Sequence, residues 1–228
     1  MIINRTSLSQ TVDAINAARI DGHALAATAR GEVARWIASR QGLPGSYAGT
    51  FAGFPSERSK GIVLFTGERI ASASARHILG EEASRALRWL RVRDSSVMRA
   101  LEAADDGLMQ CLARAAADPR HANPGLFCCG KCSVGLWRNL LSGGLSRREE
   151  RLQRGALHLR SVRDGEHGWR KFPFWYTVLA LCEMDMHEAK VELKYAAPAL
   201  ERTATRSASS SGYARRRQAL ATRALNDL

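Results

Sequence analysis

The sequence predicts an all-α protein built from helical hairpins, on three observations. Apolar residues recur at helical spacing along most of the 228-residue chain. Strand-like character is confined to one short run, Ile62-Val-Leu-Phe65. Glycine turns separate the periodic stretches, and two of them lead straight into aromatic residues. With 45% hydrophobic and 25% charged residues the balance is that of a globular protein able to bury one substantial core.

In chain order, residues 8–20 carry Leu8, Val12, Ile15 and Ile20 on a first helix. A second, over residues 24–39, stops at Gly42-Leu-Pro-Gly45, a double break. Four glycines and a proline make residues 49–67 a long connection, with Ile62 to Phe65 a short strand or an apolar loop. Residues 68–79 and 81–92 form two helices, or one interrupted at Gly80. The longest uninterrupted helical pattern, residues 95–117, is ended by Asp118-Pro119. After a loop over 120–125, a helix over 127–141 is closed by Gly143-Gly144. Ser146 with Glu149 predicts a capping box for a helix running to Val162 and stopping at Asp164-Gly165. Helices over 172–184 and 187–197 follow, completing a domain over 1–206. Residues 207–228 are expected to be a Ser-rich linker and a flexible basic tail.

Two internal echoes point to a helical repeat. Ala86-Leu-Arg-Trp-Leu-Arg-Val-Arg-Asp94 and Ala156-Leu-His-Leu-Arg-Ser-Val-Arg-Asp164 share five of nine residues. Arg40-Gln-Gly42 leads through Gly45 to Tyr47 and Phe51, as Arg163-Asp-Gly165 leads through Gly168 to Trp169 and Phe172. The second of these segments, residues 157–181, resembles the repeat of the terpenoid cyclase and protein prenyltransferase α/α-toroids. About a quarter of the chain takes part in the resemblance. It implies helix hairpins stacked in two rings, here a short or partial toroid, with Gly165 and Gly168 turning the chain and Trp169 wedged between hairpins.

The family's chemistry matches less closely. Its Asp-x-Asp-Asp acid corresponds only to Glu102-Ala-Ala-Asp105-Asp106, which lacks the first aspartate. The zinc-binding Asp-x-Cys pair and histidine of the prenyltransferases have their residue types, in another order, in Cys182-Glu-Met-Asp185-Met-His187. Lanthionine-forming cyclases, also toroids, use cysteine and histidine zinc ligands, to which the cysteines near 128 are similar.

Five cysteines, an odd number behind an N-terminus with no charged start and apolar block, predict reduced thiols and a cytoplasmic location. No apolar stretch approaches the ~20 residues of a membrane span. Phe127-Cys-Cys-Gly-Lys-Cys132 is the sharpest candidate for chemistry. Cys129 and Cys132 form a CxxC pair at a helix start, where free N–H groups and Lys131 favour thiolates. With Cys128 they are candidate zinc ligands, or a redox pair, or inert packing residues. Cys182, His158, His167 and His187 are the candidates to complete a zinc site, His187 being carried furthest. His77 and Glu81 stand four apart on one face, as a metal pair or a solvated contact.

Trp169, Phe172, Trp175 and Tyr176 are candidates to line a cavity for a hydrophobic small molecule, or else to pack between helix layers. A net charge of +12, from 29 Arg and 5 Lys against 22 acids, opens a nucleic-acid reading through Arg215, Arg216 and Arg217. The leading expectation is thus a zinc-binding, toroid-like protein that binds or acts on a hydrophobic ligand. Its rivals are a protein binding nucleic acid or an acidic partner, and a scaffold with inert cysteines.

Overall fold

The computed structural model describes residues 2–118, 123–206 and 211–228. Within them the chain forms ten helices and one two-stranded ribbon, so the all-α expectation holds. The helices are α1 (Leu8–Ile20), α2 (Ala27–Ala38), α3 (Pro55–Lys60), α4 (Ser74–Leu90) and α5 (Ser95–Ala116). They continue with α6 (Gly130–Ser142), α7 (Arg148–Ser161), α8 (Phe174–Leu181), α9 (His187–Ala204) and α10 (Gly212–Asn226). Between α3 and α4, β1 (Ile62–Val63) pairs antiparallel with β2 (Arg69–Ile70). None of these helices is long and apolar enough to cross a membrane.

The axis of the fold is the α4–α6 pair, the largest helix interface. Helices α1, α2, α3 and α5 pack on α4, while α7 and α8 pack on α6 and α9 and α10 close over them. Helix α4 is consequently buried nearly all round, from His77 to Leu87. Its interior face is ionic as well as apolar. Glu81, Glu82 and Arg85 meet Arg138 and Asn139 of α6, all fully or almost fully buried.

Several expectations are corrected here. The helix expected from Glu68 starts only at Ser74, because Glu68 serves elsewhere. Its carboxylate accepts the Trp175 and Tyr176 N–H groups at 3.0 and 2.8 Å and so caps α8. Gly80 does not break α4. A Cβ there would stand 2.2 Å from Thr50 Oγ1, so the glycine lets the Thr50 loop pack against an unbroken helix. The capping box at Ser146 is not formed, since Arg147 is the N-cap of α7 in a left-handed conformation and its side chain pairs with Glu150. Helix α9 runs through Pro198 to Ala204, seven residues beyond the expected end at 197.

The C-terminal segment is the largest correction. Residues 207–210 of the expected linker lie outside the described residues. The expected flexible tail is α10, which packs along α9 and buries Leu220, Ala221 and Ala224. Two alanines and one leucine make a narrow apolar stripe that the density of arginines hides in the sequence.

Both glycine-aromatic turns are closed in the same way, each by one isolated antiparallel bridge, Gln41 to Phe51 and Arg163 to Trp169. Phe51 and Trp169 are both buried. An arginine is engaged at each bridge as well, Arg40 next to Gln41 with the Ala52 carbonyl and Arg163 itself with Glu192.

Candidate metal centre at the cysteine turn

The first turns of α4 and α6 converge at one end of the central helix pair, and the cysteine cluster lies between them. Three local features shape the turn. Cys128 holds a left-handed φ of 56°, and Cys129 follows as the extended N-cap of α6. The Ser133 hydroxyl ties the turn down by accepting the Phe127 N–H and donating to the Cys129 carbonyl, both at 2.9 Å. Gly130 allows close contact with the second aromatic loop, for a Cβ there would sit 2.6 Å from the Lys171 carbonyl oxygen and 2.9 Å from the Phe172 ring.

His77 enters from the first turn of α4. Its ligand nitrogen and the sulfurs of Cys128 and Cys132 all lie within 4.8 Å of one another, so these three residues can hold a metal ion. Cys129 Sγ lies 3.6 Å from Cys132 Sγ and 3.3 Å from the Ser74 hydroxyl, which comes from the same turn of α4. His77 and Cys132 are buried, whereas Cys128 and Cys129 are exposed at the mouth. Behind the site the Tyr47 ring stacks on His77 at 3.5 Å, and its hydroxyl is 2.8 Å from Cys111 Sγ.

The electrostatics differ from one side chain to the next. Burial pulls the His77 pKa down to about 4, so the ring is neutral and keeps a free lone pair. Its Nδ1 is buried with no hydrogen-bond partner, an orphaned polar atom of the kind a ligand would satisfy. Cys129 is drawn down to about 4, first by the Cys132 thiol hydrogen bond, against burial, and then by the Ser74 hydroxyl and the N–H groups of Cys132 and Lys131. Cys132 is held far up by the same pairing and by burial, and Cys128 is raised by burial. Two helix N-termini add positive partial charge around these sulfurs.

Of the three cysteines expected as ligands, Cys128 and Cys132 fall within the group and Cys129 stands beside it; the sequence does not pair them with His77. His187 is exposed at the start of α9 and does not join the cluster, and neither do His158, His167 or Cys182 among the described residues. The four-residue spacing pairs His77 with Glu81, yet no hydrogen bond joins the two. His77 faces the cysteines, and Glu81 accepts from Asn139 in the core.

The aromatic candidates are occupied by protein partners. Trp169 is buried and donates to Glu192 at 2.8 Å. Phe172 stacks on Trp137, Trp175 packs edge-on to Phe174, and the Tyr176 hydroxyl donates to Glu82 at 2.6 Å. Arg216 and Arg217 likewise dock α10, Arg216 by a bidentate pair with Asp13 and Arg217 on the Thr66 carbonyl. Arg215, next to them, also has an interaction partner.

Comparison of the chain with protein-family models, with curated proteins and with solved structures gives no match.

Proposed function

We propose that this is a zinc-binding helical protein of the α/α-toroid type, in which the ion clamps the first turns of α4 and α6 together. The observation that carries the proposal is the convergence of His77, Cys128 and Cys132 within 4.8 Å from segments about fifty residues apart. Cys129 lies outside that group of three and becomes the fourth ligand by turning its side chain towards it. A tetrahedral site with Zn–S bonds of about 2.3 Å spaces its sulfurs about 3.8 Å apart, close to the 3.6 Å between Cys129 and Cys132. Sulfur-rich donors with one imidazole favour zinc over harder cations. Four protein ligands leave no open position, which is the pattern of a structural site rather than a hydrolytic one. The toroid assignment is supported by the two bridged glycine-aromatic turns that join successive helices.

Elemental analysis of protein purified without added metal tests this, with about one zinc per chain as the result expected. Cys132→Ser and His77→Ala should each release the ion, and chelation should lower the Tm of the parent protein but not of the variants. Metal-free protein, with a Tm indifferent to chelator, would reject the clamp. The 3.6 Å sulfur separation at a helix start favours a second reading, a dithiol–disulfide couple between Cys129 and Cys132. That reading requires metal-free protein in which mild oxidation reversibly removes two titratable thiols.

A further inference from the structure

On the far side of the fold a cleft of about 360 Å³ opens between the end of α1, the start of α2 and the end of α4. Arg19, His23, Leu25, Arg30, Trp89 and Arg91 line it, and no aspartate or glutamate does. None of its three arginines forms a salt bridge with a described carboxylate, although Arg35, Arg85, Arg88 and Arg138 nearby are all paired. Arg19 and Arg91 are exposed and Arg30 is half-buried. Arg19 feels the Glu183 carboxylate as well as the like charge of Arg91, and the three guanidiniums together draw an anion into the cleft.

Arg19 is held in place. The Arg19 guanidinium lies 3.6 Å over the Trp89 ring, which also carries Arg85 at 3.8 Å. Arg30 Nε is buried without a hydrogen-bond partner. Arg91 takes a left-handed φ of 51° at the C-cap of α4, a conformation an arginine adopts at some cost. The start of α2 adds to the field, since Ala26 supplies no side-chain cap and the first turn has no acid.

We propose that this cleft binds the phosphate group of a small phosphorylated molecule. Guanidinium forks match phosphate oxygens in pairs. Three cationic side chains balance the two or three negative charges of a phosphomonoester or diphosphate better than the single charge of a carboxylate. Ile15, Leu25 and Leu90 give the cleft an apolar side that suits an organic substituent. The site lies apart from the cysteine turn and is independent of the metal proposal.

Calorimetric titration of the full chain with inorganic pyrophosphate, inorganic phosphate and acetate tests the assignment. Pyrophosphate should bind at a single site, phosphate more weakly, and acetate not measurably. Arg30→Gln and Arg91→Gln should each weaken pyrophosphate binding by about tenfold or more. Arg99→Gln, which removes the same charge from an exposed face of α5, should leave it unchanged. Both cleft arginines sit at helix ends, and an unchanged circular dichroism spectrum identifies the variants that remain folded. Absence of pyrophosphate binding, equal binding of acetate, or equal losses in Arg99→Gln and Arg30→Gln would each overturn the proposal.

Discussion

Arg138 Nε donates to Glu82 Oε1 at 2.5 Å in the middle of the α4–α6 interface, where the arginine is 1% and the glutamate 7% exposed. Glu82 also accepts from the Tyr176 hydroxyl at 2.6 Å, and Arg138 reaches Glu183 at 3.2 Å. Burial alone would raise the Glu82 pKa, yet Arg138, with help from Arg85 and Tyr176, brings it down to about 2. A buried pair of this kind is costly to break because each removal strands the other charge. Arg138→Met should therefore destabilise the protein by about 3–5 kcal/mol in urea denaturation. Arg138→Met with Glu82→Gln should recover part of that loss. Additive losses in the double variant would show that the two side chains do not compensate each other.

One residue earlier, Glu81 behaves in the opposite sense. Burial dominates and raises its pKa from 4.5 to about 8, against the Asn139 hydrogen bond and the Arg88 charge. The folded state thus holds a proton that the unfolded chain releases above pH 4.5. This contribution to stability is complete below the unfolded value and is lost as pH rises through about 8. Glu82 acts at the other end, its contribution disappearing as pH falls from 4.5 towards 2. Urea midpoints measured across this range should decline on the alkaline side for the parent protein. In Glu81→Gln that decline should flatten. Parallel profiles for the two proteins would contradict a protonated Glu81.

Gly130 couples the metal turn to the second aromatic loop. Gly130→Ala pushes a methyl group against the Lys171 carbonyl and the Phe172 ring, neither of which is a free side-chain tip. The expected cost is about 1–3 kcal/mol, with zinc occupancy reduced because Cys129 and Cys132 flank the strained position. Thermal denaturation with metal analysis on the same samples checks both halves.

Helix α10 is structural on the evidence of its contacts, so removing residues 211–228 should destabilise the chain by at least about 2 kcal/mol, the worth of the leucine burial alone. Asp13→Ala should cost less than the truncation, since it breaks only the partly buried pair with Arg216 and leaves the α10 apolar stripe in place. A truncated chain with an unchanged urea midpoint would mean that α10 contributes nothing to the core.

The sequence by itself determined what depends on neighbours within a turn or two. The span of α1 is legible from Leu8, Val12 and Ile15, and that of α5 from its long apolar period and Asp118-Pro119. The cysteines were legible too, because three sulfurs in five positions at a helix start is a local pattern. Tertiary structure decided the rest. His77 meets Cys128 and Cys132 only because α4 and α6 pack side by side, which brings it to cysteines about fifty residues away. Gly80 stays helical because Thr50 covers it, and Glu68 leaves its expected helix to cap α8. Residues 212–226 become a helix because α9 offers a surface to a stripe of small side chains. In each case the deciding partner is distant in sequence, and local periodicity carries no information about it.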